Sequence, residues 1–224
     1  FYYVRAESAP EQYGFADLRE RVRGTLEELI GRGFVRTDEE LTLEATPLGN
    51  LASSFYLRLD TAARFHALAN RGDLTDGDAL RSVARAAEFD SVTARRAERE
   101  AVRSVVPGGD DLEPGERKVL AILRGSMDAN VPDELASDAW VIRQNALRLL
   151  SALSAFVDRF GEPRDANRLC RLEARIEHGV PAEAVGLTAI DGVGAGRAQK
   201  LSAEGLRSPA DVRAAGVDGL IEAG

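Results

Sequence analysis

Residues 131–163 read VPDELASDAWVIRQNALRLLSALSAFVDRFGEP, and neither glycine nor proline interrupts the run between Pro132 and Gly161. Pro132 suits the first turn of a helix, where its missing N–H would have had no intrahelical acceptor. Asp133, Glu134 and Asp138 put negative charge near the positive end of the helix dipole. Gly161 and Pro163 supply the stop. Leu135, Ala139, Ile142, Ala146, Leu149, Leu153, Phe156 and Phe160 recur in steps of three and four, so one long helix buries one face. Trp140, Gln144 and Arg148 fall one turn apart on another face. An aromatic, an amide and a guanidinium in line can stack on bases and hold phosphates. The same spacing also fits a tryptophan in a second core contact beside an arginine in a surface ion pair.

Around this helix the chain has 224 residues, 44% hydrophobic and 29% charged, which describes a soluble globular protein with one large core or several small ones. No window is apolar for long enough to span a bilayer, and the N-terminus is no signal peptide. Starting at Phe1 without a methionine, the chain reads as a piece of something longer. Cys170 is the single cysteine, which excludes an internal disulfide and fits a cytoplasmic location. With His66 and His178 as the only histidines, a histidine-built metal site is not expected.

Net charge is −8, yet Lys118 and Lys200 are the only lysines among 29 basic residues. That composition points to a high-GC genome and a salt-rich cytoplasm. At about 1 M salt the Debye length is about 3 Å, and counterion release contributes little. A nucleic-acid binder in such a cell leans on stacking and short hydrogen bonds, so an acidic balance does not exclude one.

Upstream, Phe1–Val4 reads as a short strand. Residues 17–30 form a helix with Leu18, Val22, Leu26 and Leu29 or Ile30 inward, ended by Gly31 and Gly33. FVRT, a turn at Asp38-Glu39-Glu40 and LTLEA make a hairpin. Thr46 caps a helix with Pro47 in its first turn. Helix, hairpin, helix is the latter part of a winged helix, either touching nucleic acid or serving as a packing module.

From Leu59 to His178 the reading is an α-helical bundle. Thr61 opens a short helix; Asp76–Phe89 forms another, with Leu80, Val83, Ala84 and Ala87 inward. Thr93 caps a helix whose arginines at 95, 96, 99 and 103 make a solvated face balanced by Glu98 and Glu100. Pro107–Asp111 is a loop, and Gly115–Arg124 is helical through Val119, Leu120 and Leu123. After the long helix, residues 166–178 pack through Leu169, Leu172 and Ile176.

The tail is different. Pro181 starts a short helix, Ile190-Asp191-Gly192-Val193-Gly194 forms a bend, and Arg197, Ala198 and Leu201 lie on the next helix. This resembles the helix-hairpin-helix motif. Its glycines let a phosphate approach the backbone, the following N–H groups face the anion, and Arg197 and Lys200 add charge without reading sequence. Ser208-Pro209 caps a further helix, and a second hairpin begins at Gly216. Catalytic motifs are missing: there is no phosphate loop, no dinucleotide fingerprint and no Ser/His/Asp arrangement.

Taken together, FYYVRAES, LEELIGRGFVR, ATPLGNLASSFYLRLDTA, AAEFDSV with Arg95 and Glu98, and DAWVIRQNALRLLSAL resemble the C-terminal part of Ski-two-like DEAD/DEAH-box helicases of superfamily 2, the archaeal type in particular. The pattern Asn145-Ala146 with Arg148-Leu149-Leu150 looks like the Sec-sixty-three-type helical module of that family, and the lysine-poor acidic composition looks like a halophilic member. The resemblance implies RecA-like motor domains elsewhere in the polypeptide, which use ATP and Mg; no cofactor is expected in this chain. It implies a winged helix bracing those motors. The long helix becomes a ratchet lying across the strand through Trp140, Gln144 and Arg148, and a hairpin of Gly192, Val193 and Gly194 grips the strand with Arg197 and Lys200.

The expected fold is mainly α: an incomplete winged helix with a small β-hairpin at 1–58, a helical bundle at 59–178 and a truncated helix-hairpin-helix domain at 179–224. The expected function is that of an accessory region of a 3′–5′ helicase on single-stranded or forked nucleic acid, with no membrane partner. The alternative is a protein-interaction module without nucleic-acid contact.

Overall fold

The computed structural model describes the backbone of residues 15–38, 42–108 and 111–222, and the side chains of those between 18 and 216. The chain divides into two compact units, Phe1–Ser54 and Phe55–Gly224. The boundary expected at 58 thus falls a few residues into the second unit.

In the first unit α1 (Phe15–Gly31) is followed by β1 (Val35–Thr37), β2 (Leu43–Ala45) and α2 (Pro47–Ser54). The strands are antiparallel, with Val35 opposite Ala45 and Thr37 opposite Leu43. Gly33 at φ +77° turns the chain out of α1, and the Phe34 N–H donates back to the Leu29 carbonyl at 2.9 Å. Thr46 caps α2: its Oγ1 accepts from the Gly49 N–H at 3.1 Å. Glycine is required at 49, because a Cβ there would lie 2.0 Å from the Phe34 carbonyl oxygen. Helix, hairpin, helix is therefore present. The inward face expected of α1 is not buried, since Leu18, Val22 and Ile30 are exposed. Three-residue strands are too short to cover a helix of 17 residues. The strand expected at Phe1–Val4 and the turn residues Glu39 and Glu40 lie outside the described residues.

The second unit is helical among its described residues: α3 (Leu59–Arg71), α4 (Asp76–Ala84), α5 (Arg99–Val105), α6 (Pro114–Met127), α7 (Ala136–Phe160), α8 (Pro163–His178), α9 (Ala195–Ala203) and α10 (Pro209–Glu222). Short 3₁₀ turns at 87–89, 96–98, 133–135 and 185–189 join them. Pro163 has two jobs: it stops α7 and opens α8.

The innermost helix is α6. Val119, Leu120, Ala121, Ile122 and Leu123 are all fully buried, so it is covered on every side. Two glycines allow this closeness. A Cβ at Gly115 would lie 2.0 Å from the Val92 carbonyl oxygen, and one at Gly125 would lie 2.8 Å from that of Asn130. The long helix α7 packs with α8, α3, α6 and α4. Its buried face holds Ile142, Ala146, Leu149, Leu153 and Phe156 as expected, widened by Leu150, Ala152 and Val157.

Three local expectations change. The helix expected over 76–89 ends at Ala84, and a 3₁₀ turn follows, so Ala86 rather than Ala87 is buried. Thr93 does not cap α5; the Glu98 carboxylate closes that turn by accepting from the Arg95 N–H at 2.7 Å. Glu98 is not part of a solvated face, being 2% exposed. In the loop before α6, Asp111 is engaged too, with Arg85 at 2.8 Å and Arg81 at 3.5 Å. Residues 109 and 110 lie outside the described residues.

Candidate nucleic-acid interface

Because α7 is sealed on one side, its other side is defined by exclusion. Trp140 is 66% exposed and Val141 62%, and Gln144 is exposed one turn on. The reading of Trp140 as a second core contact does not hold. A tryptophan left this open in a bundle with ample core is a surface available to a partner.

Arg148 acts first on its own chain. Its Nη1 donates to the Phe55 carbonyl at 2.6 Å, and its Nε and Nη2 donate to Asn145 Oδ1 at 3.2 and 2.9 Å. The guanidinium so fastens the segment entering α3 onto α7. Next to that carbonyl stands Tyr56, 89% exposed, with φ +52°. A left-handed φ is uncommon for a bulky non-glycine residue and persists only where the surroundings enforce it. Arg148 holds the carbonyl that precedes Tyr56, and the exposed side of α7 has Trp140 near its start. Sequence reasoning missed Tyr56, because a backbone angle leaves no trace in residue spacing.

The start of α7 is fixed by a buried cation. Lys118 on α6 is 1% exposed, and its Nζ donates to Glu98 at 2.8 and 2.9 Å, to Asp138 at 2.5 Å and to the Thr93 carbonyl at 3.4 Å. Burial pushes the Glu98 carboxyl up, but the Lys118 ammonium and the Arg95 N–H outweigh it and hold it below the ordinary range. For Asp138 the hydrogen bond from Lys118 is the largest influence, and its carboxyl is also held low. Asp138 was expected to serve the helix dipole; it also ties α7 to α6, two residues before Trp140. A lysine in a chain nearly without lysine was the available signal.

In the tail, Gly179 ends α8 with φ +64°. Beyond it a separate small core forms from Val180, Ala184, Leu187 and Ala198. Pro181 is followed by turns and then a 3₁₀ segment rather than an α-helix. The Val193 N–H donates to the Ile190 carbonyl at 2.9 Å, closing a turn with Gly192 at φ +80°. Arg197 Nη1 donates to the Gly192 carbonyl at 2.6 Å and steadies the bend. Gly192, Gly194, Arg197 and Lys200 are exposed and Val193 is half-buried. A Cβ at Gly194 or Gly196 would meet nothing within 4 Å, so the approach to the start of α9 is open. The N–H groups of Ala195, Gly196 and Arg197 lie in its first turn, where no intrahelical acceptor exists. Asp211 accepts from the Arg207 and Ser208 N–H groups and Ser208 Oγ accepts from the Asp211 N–H, so α10 is capped as expected. A bend at Gly216, φ +66°, breaks α10.

No helix among the described residues is long and apolar enough to cross a membrane. The chain is 30% identical over 201 residues to activating signal cointegrator 1 complex subunit 3 of Homo sapiens, covering 79% of this chain and 9% of that protein. It is 28% identical over 215 residues to the ATP-dependent DNA helicase Hel308 of Pyrobaculum calidifontis, covering 89% and 30%. It is 25% identical over 179 residues to the probable ATP-dependent DNA helicase HFM1 of Xenopus tropicalis, covering 70% and 13%. The chain therefore spans less than a third of each of these relatives. Residues 45–185, which hold the whole bundle, match the model of the Sec63 Brl domain, and the chain belongs to that family, as found in Ski2-like helicases.

Proposed function

We propose that the chain is the accessory C-terminal region of an ATP-dependent 3′–5′ helicase, where it guides and grips single-stranded or forked nucleic acid. The observation that carries this is the exposed Trp140 on a helix whose opposite face is sealed. An indole on a rigid rod gives a base a flat surface to stack on whatever the sequence, and each such stack is worth about 1–3 kcal/mol. Gln144 supplies an amide one turn away, and Tyr56, which follows the Phe55 carbonyl that Arg148 holds, is a second exposed aromatic. The glycine bend offers N–H groups of α9 to a phosphate, with Arg197 and Lys200 beside them. Two relatives are named DNA helicases, which supports DNA as the strand. ATP and Mg belong, on this reading, to RecA-like motor domains of the same polypeptide. The acidic, lysine-poor composition supports an archaeal cell with high internal salt.

The test is fluorescence anisotropy of a labelled single strand at modest salt. The chain binds it, and Trp140→Ala weakens binding about tenfold without changing the melting temperature. Absence of binding by the wild-type chain overturns the proposal. A second reading rests on the same residues. Trp140 and Val141 together form an exposed apolar pair, and a protein partner takes tryptophan as readily as a base does. Capture of a protein by the wild-type chain and not by Trp140→Ala, with strand binding absent, selects it.

A further inference from the structure

Arg164, Arg168, Arg171 and Arg175 follow one another on α8 at steps of four, three and four, which makes a single stripe. They line a groove of about 420 Å³ together with Asn167 and one carboxylate, Asp76. Asp73 and Asp128 reach Arg164 and Arg175 from outside the lining, which leaves Arg168 and Arg171 facing no carboxylate of a described residue in a chain of net charge −8.

Three of these side chains are already held. Arg164 pairs with Asp73, Arg168 donates to the Leu74 carbonyl, and Arg175 lies 3.5 Å from Asp76 and 3.8 Å from Asp128. A carbonyl is neutral, so the charge of Arg168 is positioned without being cancelled. Arg171 makes no hydrogen bond or ion pair with a described residue and sits one turn further along the stripe. Anchored guanidiniums have lost their rotamer freedom beforehand, which lowers the entropy cost of receiving an anion.

The shape of the array indicates the ligand. From Arg164 to Arg175 the stripe runs about 16 Å along the helix axis, at the usual rise per residue. It is a row, not a cup for one small anion. A row of planar forks matches an evenly charged phosphodiester backbone, Arg171 offering its whole fork to one phosphate and Arg168 the part of its fork not given to the Leu74 carbonyl to the next. No aromatic side chain is among the described lining residues, so bases gain no stacking there. We propose that this groove is a separate anion track that takes the backbone of a nucleic-acid strand without touching its bases.

The test titrates the chain against labelled oligothymidylate and an abasic strand of equal length, across a range of salt. Arg171→Gln loses about tenfold in affinity at low salt, as expected for one charge-assisted hydrogen bond, on both strands alike. Its log–log salt slope is shallower by about 0.7, the single-strand value for one phosphate contact. Since Arg171 engages no described residue, the variant melts with the wild type. Trp140→Ala is the partner measurement and loses affinity on oligothymidylate only. Unchanged affinity and slope for Arg171→Gln, with Trp140→Ala weakened, removes the groove and leaves the reading of α7 standing. The reverse pattern keeps the groove and removes that reading, and two silent variants remove both. Binding of a polyglutamate peptide that Arg171→Gln abolishes while strand affinity stays unchanged makes the groove a protein site and overturns the proposal.

Discussion

Lys118 and Lys200 are chemically identical and meet opposite surroundings. Lys118 lies in the bundle at 1% exposure, gripped by two carboxylates and a carbonyl. Lys200 lies on α9, exposed and without an ion pair among the described residues. A buried ammonium is tolerated only when fully compensated. The bundle therefore draws Glu98 from the turn before α5 and Asp138 from the first turn of α7 to meet it. Charge there acts as a rivet between three elements. In the tail a small apolar cluster supports a glycine bend whose charged groups are exposed, and on the proposed function that charge is left for a ligand. The contrast separates charge used inside the bundle from charge exposed in the tail, a platform and, as proposed, a contact surface.

The sharpest way to break the contrast is Lys118→Met. It leaves the two carboxylates with only the exposed Arg95, 3.5 Å from Glu98 and 3.6 Å from Asp138, and the expected loss is about 3–5 kcal/mol by chemical denaturation. The pH response follows from the direction of the shifts. Glu98 and Asp138 are held below their ordinary values, so their contribution is present above about pH 4 and is lost as pH falls through and below that range. In Lys118→Met that depression shrinks to what Arg95 and Ser137 supply, so the gap between variant and wild type narrows on acidification. A gap that stays constant down to about pH 3 shows that Lys118 packs as a hydrocarbon and not as an ion.

Gly192→Ala comes next. At φ +80° an alanine is strained by roughly 1–2 kcal/mol, although there is room for its methyl group. The loss is confined to the tail. Hydrogen exchange is expected to quicken in α9 and to stay unchanged in α6, whose protection belongs to the bundle. Equal quickening in both marks the tail and the bundle as one cooperative body.

Much of the platform was legible in residue order, and the reasons differ element by element. The end of α7 follows from Gly161, which acts through its own backbone, whereas the start expected at Pro132 gives a 3₁₀ turn over 133–135 and α7 itself begins at Ala136. Its buried face follows from spacing, since a helix has one period. What spacing cannot carry is the environment that other elements bring. Ala87 was misplaced by one position because the helix ends at Ala84 and a 3₁₀ turn over Ala87–Phe89 follows, and no glycine or proline marks the change. Glu98 looked like one charge in a charged run; its burial depends on Lys118, twenty residues further on. Arg148 looked free because its acceptor, the Phe55 carbonyl, is a backbone atom 93 residues away. The bend at 190–194 was readable for the opposite reason: glycines, cap and following helix are all local.

The smallest effect is expected from Lys200→Met, and it bears on both sides of the comparison. Lys200 is exposed and engages no described residue, so removing its charge changes stability by no more than about 0.5 kcal/mol. On a strand the same change is expected to register as a salt slope shallower by about 0.7, with the affinity loss equal for every sequence. The pairing of a silent melt with a changed slope is what distinguishes a cation kept for a phosphate from one that merely keeps the surface soluble. A silent melt with an unchanged slope would place the phosphate contact on Arg197 alone. Arg197 already donates to the Gly192 carbonyl, so it meets an anion from a fixed position, whereas Lys200 must first be ordered.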